Sequence, residues 1–180
     1  MAEAIAHYEQ HGFRYIETAW AVPHAIVRVT APNDECTFPF ADGLTLVGSG
    51  EQSLLHLIEQ GEISAPGKYQ TTTPCFRNEV EDELHKKYFL KNELMIYAPT
   101  SPKTQLEELM AVCVSYHERV ASGHNVNVVR SGKHGEWDIT VNGIEVGSYG
   151  LRTYRNHTWI YGTGHAEPRV SIAMKMLENR

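Results

Sequence analysis

A chain of 180 residues has the length of one domain, long enough to bury roughly 70% of its unfolded surface. Its formal charge of -6 and pI near 5.9 exclude a broad, nonspecific grip on nucleic acid, which needs many Lys and Arg facing phosphates. No apolar run suits a signal peptide or a bilayer span, and Cys36, Cys75 and Cys113 lack both an even count and a CxxC spacing. No membrane association is therefore expected, nor a disulfide framework or a zinc site, and a reducing cytoplasm is the expected location.

Residues 2–11 have helical composition and stop at Gly12, after which Phe13-Arg14-Tyr15-Ile16-Glu17-Thr18 alternates as a strand does. Ala25 to Thr30 reads as a second extended run, closed by a turn at Pro32-Asn33, and Leu44 to Val47 as a short strand. Gly48-Ser49-Gly50 leads into a helix over 51–60, with Leu54, Leu55 and Ile58 on one face and Gly61 at its end. Tyr69 to Phe76 and Phe89 to Tyr97 read as strands flanking a charged loop. In that loop Glu79, Glu81, Asp82 and Glu83 precede His85, Lys86 and Lys87, so taken alone it is a solvated surface of mixed charge.

Ser101 is a plausible N-cap for a helix over 102–122, whose Leu106, Leu109, Met110, Cys113 and Tyr116 form a core stripe before Gly123. Asn125 to Arg130, Glu136 to Val141, Ile144 to Tyr154 and Thr158 to Tyr161 alternate as four strands. Turns fall at Gly132 to Gly135, at Asn142-Gly143, a good two-residue hairpin turn, and at Arg155-Asn156. From Pro168 onward, Val170, Ile172, Ala173, Met176 and Leu177 suit a terminal helix. Hairpins in succession, without alternating crossover helices, predict a single α+β domain over 1–180, an antiparallel sheet flanked by helices.

Three segments stand out chemically. Pro74-Cys75-Phe76-Arg77-Asn78-Glu79 is followed by His85 and Phe89, Gly162-Thr163-Gly164-His165-Ala166-Glu167-Pro168-Arg169 lies near the C-terminus, and Asp138 to Ser148 lies between them. In this order they resemble the motifs of the class II aminoacyl-tRNA synthetase catalytic core, and the resemblance covers nearly the whole chain. The family's first motif, a helix and strand that build a homodimer interface, is matched by Tyr8 to Thr18 running on to Pro23. Its second is matched by Phe76, Arg77, Glu79, His85 and Phe89, and its third by Gly162, Gly164, Ala166 and Arg169. Asp138 and Glu145 have the spacing of the magnesium-binding acids of the Asp/Asn/Lys branch. Glu145, Ser148, Gly150 and Arg152 also resemble ammonia-dependent asparagine synthetase.

The resemblance implies an ATP site. Arg77 would grip the α-phosphate and the amino-acid carboxylate with its planar fork, and Arg169 the γ-phosphate. Glu79 would accept from the adenine amino group, Phe89 would face the ring, His85 would meet the pyrophosphate, and Gly162 and Gly164 would line the nucleotide. Asp138 and Glu145 supply the hard oxygens that Mg²⁺ prefers. For the amino acid, Ser49 and Glu51 resemble the loop that receives the α-ammonium, Arg152 the residue that binds an acidic or amide side chain, and Lys91 and Glu93 would line the same pocket. Each has a plainer reading: Arg77 and Glu79 as a surface pair, Phe89 as core, Asp138 as a turn residue, Glu51 as a first-turn acid, and the glycines as relief of crowding.

The expected activity is ATP-dependent formation of an aminoacyl-adenylate in a homodimer, with transfer to a small amine such as ammonia, a carrier protein or a protein lysine. The matched segments leave no residues for an anticodon-reading domain, which sets tRNA behind the other acceptors. A degenerate paralogue that binds nucleotide or amino acid as an accessory module, and a minimal tRNA-charging enzyme, remain as alternatives.

Overall fold

The computed structural model describes residues 1–132 and 135–178. A seven-stranded sheet forms the centre, in the order β1 (Arg14–Tyr15), β5 (Gly67–Phe76), β6 (Tyr88–Tyr97), β10 (His157–Glu167), β9 (Ile144–Tyr154), β8 (Trp137–Val141) and β7 (Val126–Arg130). Every adjacent pair runs antiparallel except β1 with β5. A smaller three-stranded sheet, β2 (Ala21–Pro23), β4 (Leu44–Leu46) and β3 (Phe38–Pro39), stands beside it.

Three helices cover one face of the large sheet: α1 (Ala2–Gln10), α4 (Pro102–Val120) and α5 (Arg169–Glu178). Their apolar stripes bury Leu109, Cys113, Tyr116, Val170 and Ala173 against Ile139, Tyr149 and Ile160, the main core. On the opposite face, α3 (Gly50–Glu59) packs chiefly over β5 and β6 and also touches β2, and α2 (His24–Val27) leans on α3. Leu54, Leu55 and Ile58 meet Tyr69, Met95 and Trp159 in a second core. Among the described residues no helix lies over the rest of that face, above β8, β9 and the far end of β10, and the cavity described below opens there.

The central strands are long and buried on both sides, as a sheet covered from two directions requires. On β10 the register slips between Thr163 and His165, leaving Gly164 as the extra residue of a bulge. A Cβ on Gly164 would stand 2.1 Å from Asn92 Oδ1 and 2.7 Å from the Tyr8 ring, so only glycine lets α1 approach this closely. The Tyr8 hydroxyl donates to the Gly164 carbonyl at 2.7 Å.

The expected α+β sheet and helices stand, with corrections at four places. Ala25 to Thr30 is not extended: His24–Val27 forms a turn of helix, because Ile26 and Val27 point together into the second core rather than to alternating sides. The strand expected over 13–18 pairs only at Arg14–Tyr15, and it lies parallel to β5. The strand expected over 158–161 runs instead to Glu167, because β6 offers a partner along nearly its whole length. Of the small sheet, only β4 matches the strand expected at Leu44 to Val47, while β2 and β3 are too short to carry an alternating signal. The turn placed at Gly132 to Gly135 falls in part outside the described residues, as does the side chain of Leu177.

His117 is fully buried on α4 with neither ring nitrogen hydrogen-bonded, its ring stacked 6.4 Å from that of His165. Burial, reinforced by His165 and His7, pushes its pKa down from 6.5 to about 3. The unfolded chain thus takes up a proton that the folded chain refuses, and stability falls as pH drops from about 6.5 toward 3. Urea unfolding at pH 7.5 and pH 5 should show His117→Leu losing about 2 kcal/mol less over that interval than the wild type; equal losses would show that His117 does not resist protonation.

Candidate active site

Every residue given an ATP-, metal- or amino-acid-binding role from the sequence lines one cavity of about 470 Å³, except Gly162 and Gly164. A Cβ on Gly162 would meet Tyr149 at 2.7 Å and Leu109 at 2.9 Å, on the helical side of the sheet. Both glycines therefore serve packing against α1 and α4, a correction to their expected place along a nucleotide. The bulge at Gly164 instead turns Thr163 and Ala166 toward the cavity.

Arg77 leaves the end of β5, where its Nε donates to the Gly48 carbonyl at 3.1 Å and its guanidinium lies 5.1 Å from the Phe89 ring centroid. Gly48 is itself fixed, its N–H donating to Gln52 Oε1 at 2.8 Å. Arg169 enters from the first turn of α5, its Nη2 donating to the Leu84 carbonyl at 3.3 Å and its Nη1 lying 3.7 Å from Glu145 Oε1. It thereby links the loop after β5 to the β8–β9 hairpin. In that loop His85 bonds Asp82 at 2.8 Å, and these bonds hold the Asp82 carboxyl down to about 2. His85 and Glu79 both line the cavity mouth.

Asp138 and Glu145 share Ser148, whose hydroxyl donates to Asp138 Oδ1 at 2.6 Å and lies 3.4 Å from Glu145 Oε1. They converge because Asp138 pairs with Ser148 across the hairpin while a bulge between Ile139 and Thr140 resets the register toward Glu145. Among the described residues no three His, Cys, Asp or Glu side chains are placed to hold a metal by themselves. Two carboxylates still fit Mg²⁺, which keeps its waters and binds one or two protein carboxylates beside substrate phosphates.

The floor of the cavity carries buried charge. Ser49 caps α3, its hydroxyl accepting from Glu51 N and donating to Glu93 Oε1 at 2.8 Å. Glu93, 1% exposed, is ion-paired with Lys91. Glu51, also buried, accepts from Trp159 Nε1 at 2.7 Å and is ion-paired with Arg152. Burial pushes the Glu51 carboxyl up against the pull of Arg152.

Strand register explains the pair. Arg152 stands opposite Trp159, and Tyr161 stands opposite Gly150. A Cβ on Gly150 would lie 2.8 Å from the Tyr161 hydroxyl, so the glycine admits the phenol, over which the Arg152 guanidinium lies 4.0 Å from the ring centroid. Trp159, Tyr161, Thr163 and Glu136 were not singled out from the sequence. The alternation of Trp159, Tyr161 and Thr163 along one strand was the available signal, since it places all three on the face of Arg152.

This is the fold of class II aminoacyl-tRNA synthetase catalytic domains. Pyrrolysyl-tRNA synthetase from Desulfitobacterium hafniense matches with a TM-score of 0.75 at 13% identity, over 99% of this chain and 68% of that one. Seryl-tRNA synthetase from Pyrococcus horikoshii, solved with ATP, matches with a TM-score of 0.72 at 18% identity, over 96% of this chain and 48% of that one. The cytoplasmic serine-tRNA ligase of Naegleria fowleri, solved with AMP, matches with a TM-score of 0.76 at 17% identity, over 96% of this chain and 46% of that one. No protein-family model and no curated protein sequence matches the chain.

Because Lys91 and Glu93 neutralise each other where water is scarce, removing one strands the other. Lys91→Met should destabilise the protein by about 3 kcal/mol in urea unfolding, while adding Glu93→Gln should restore most of the loss. Equal stability of Lys91→Met and wild type would show that solvent reaches the pair.

Proposed function

We propose that the chain is an ATP-dependent ligase-type enzyme that activates an α-amino acid as its aminoacyl-adenylate. The reading is carried by one observation: Arg77 and Arg169 reach the same cavity from opposite elements, with the carboxylate pair Asp138 and Glu145 beside them. The neighbouring folds solved with ATP and AMP support it.

In this reaction a carboxylate oxygen of the amino acid attacks the α-phosphorus, the bond to the bridging oxygen breaks, and pyrophosphate leaves with its electron pair. Charge builds on the phosphoryl oxygens, so catalysis is positioning and neutralisation by groups already in place. Arg77 spans the α-phosphate and the attacking carboxylate with its planar fork. Arg169 holds the γ-phosphate, exchanging its bond to the Leu84 carbonyl for phosphate oxygens. Glu79 and Phe89 receive adenine, and His85 reaches the pyrophosphate. Asp138 and Glu145 would hold Mg²⁺, which would supply positive charge to offset that of the phosphates. Ser49, Glu51, Lys91, Glu93 and Arg152 form the amino-acid end.

The activated acyl group then passes to an acceptor with a nucleophilic nitrogen or oxygen. The net charge of -6 favours a small amine, a carrier protein or a protein lysine over tRNA. Among the described residues no helix is long and apolar enough to cross a membrane; a cytoplasmic location is part of the same proposal. A homodimer built on α1 and β1 completes the proposal. Light scattering should then give about twice the chain mass of 20.3 kDa; a well-folded monomer would remove the dimer.

The deciding assay is amino-acid-dependent ATP–pyrophosphate exchange over the twenty amino acids. Exchange with one or a few of them should fall about 100-fold in Arg169→Ala and in Arg77→Ala. Silence across the panel with ATP binding intact would point to an accessory nucleotide-binding module instead.

A further inference from the structure

At the end of the cavity formed by α3, β6, β9 and β10, three carboxylates, Glu51, Glu93 and Glu136, meet two cations, Lys91 and Arg152. Lys91 is paired with Glu93. Arg152 is engaged on three sides: by the Glu51 carboxylate, by Glu136 with its Oε1 3.9 Å from Nη2, and by the Tyr161 ring beneath it. Among the described residues no cation at this end stands ready for a further anion, and one carboxylate stands in excess.

We propose that Arg152 is a positioning residue that holds Glu51, and that the pocket selects an α-amino acid with an uncharged side chain whose ammonium group binds the Glu51 carboxylate. This rests on the amino-acid reading of the site.

Charge balance carries the argument. One ammonium brings the cluster to neutrality, with the substrate's own carboxylate at Arg77. An acidic side chain would set another carboxylate against Glu51 and Glu136 around a single guanidinium. A basic one would add a cation where every acid already faces one. Glu51 retains capacity for the ammonium, because a carboxylate offers about four acceptor sites and two are in use, by Trp159 and Arg152. The polar group left over at this end is neutral: the Tyr161 hydroxyl, buried beside Glu136 and without a hydrogen bond of good geometry. A buried hydroxyl of that kind suits an uncharged partner on the ligand.

Burial raises the proton affinity of Glu51, and Arg152, ion-paired with it, pulls that affinity back down. The charged groups facing Glu51 are Arg152 on β9, Glu93 and Lys91 on β6 and Glu136 before β8, with Trp159 and Tyr161 of β10 completing its surroundings. Without the guanidinium, the remaining acids and the lack of water raise its proton affinity. A protonated Glu51 cannot hold an ammonium ion, so binding weakens as pH falls.

The test is calorimetric binding of each of the twenty amino acids to the whole chain, run beside pyrophosphate exchange. Uncharged amino acids should supply the tightest binder, with Asp, Glu, Lys and Arg at least tenfold weaker. Tightest binding by a charged amino acid overturns the inference, as does binding by none. Selective binding of an uncharged amino acid without any exchange keeps the inference and removes only the adenylation reading; exchange driven by Asp or Glu does the reverse. In Arg152→Gln the Kd for the preferred amino acid should rise at least tenfold at pH 6 and much less at pH 8, with Arg152→Lys recovering most of the loss and ATP binding unchanged. A loss equal at both pH values, or one that lysine does not relieve, overturns the positioning role.

Discussion

A carboxylate moved out of water costs several kcal/mol unless a cation meets it, and this protein buries two, Glu51 and Glu93, at the floor of one cavity. Much of the surrounding architecture answers that constraint. Lys91 lies two residues from Glu93 on the same face of β6, so the strand's own pleat supplies the counter-ion. Glu51 sits in the first turn of α3, where the helix dipole favours negative charge, and receives Arg152 from across the sheet. Gly150 is small because Tyr161 must lie flat beneath that guanidinium. The cavity is therefore assembled around charge that was neutralised during folding, and its remaining polarity is left for ligands.

The two faces of the sheet divide the labour. The helical face holds an apolar core in which buried Tyr8 donates to the Gly164 carbonyl and Tyr149 to the Thr163 carbonyl. The other face is covered by α3 only in part, and its polar residues increase toward β8 and β9 where the cover ends. The bulge on β10 lets one strand serve both. Without its extra residue, the alternation that turns Thr163 to the cavity could not also turn Ala166 there.

The sheet and its long helices were legible because their patterns are long: the stripe on α4, the Asn142-Gly143 turn, the alternation of β9. Strands β2 and β3 of the small sheet and the helical turn at His24–Val27 were not, since two to four residues carry no usable period. Arg77, Arg169, Asp138 and Glu145 were singled out by their match to the class II motifs, since Arg77 and Asp138 taken alone also had a structural reading, and the fold brings all four to one cavity. Gly162 and Gly164 misled for the opposite reason: a missing side chain serves a ligand and a neighbouring ring equally well, and only coordinates show which side is crowded. Trp159 and Tyr161 passed as core aromatics, which they are; that their polar atoms and ring faces also order Glu51 and Arg152 depends on register across two strands that no local pattern announces.

The bond from Tyr8 to the Gly164 carbonyl joins the first helix to the strand that sets the cavity wall. Anything attached ahead of Met1 thus pulls on a lever whose far end is the orientation of Thr163 and Ala166. For handling the protein, an N-terminal fusion is an intervention near the cavity wall, although it is distant from that wall in sequence.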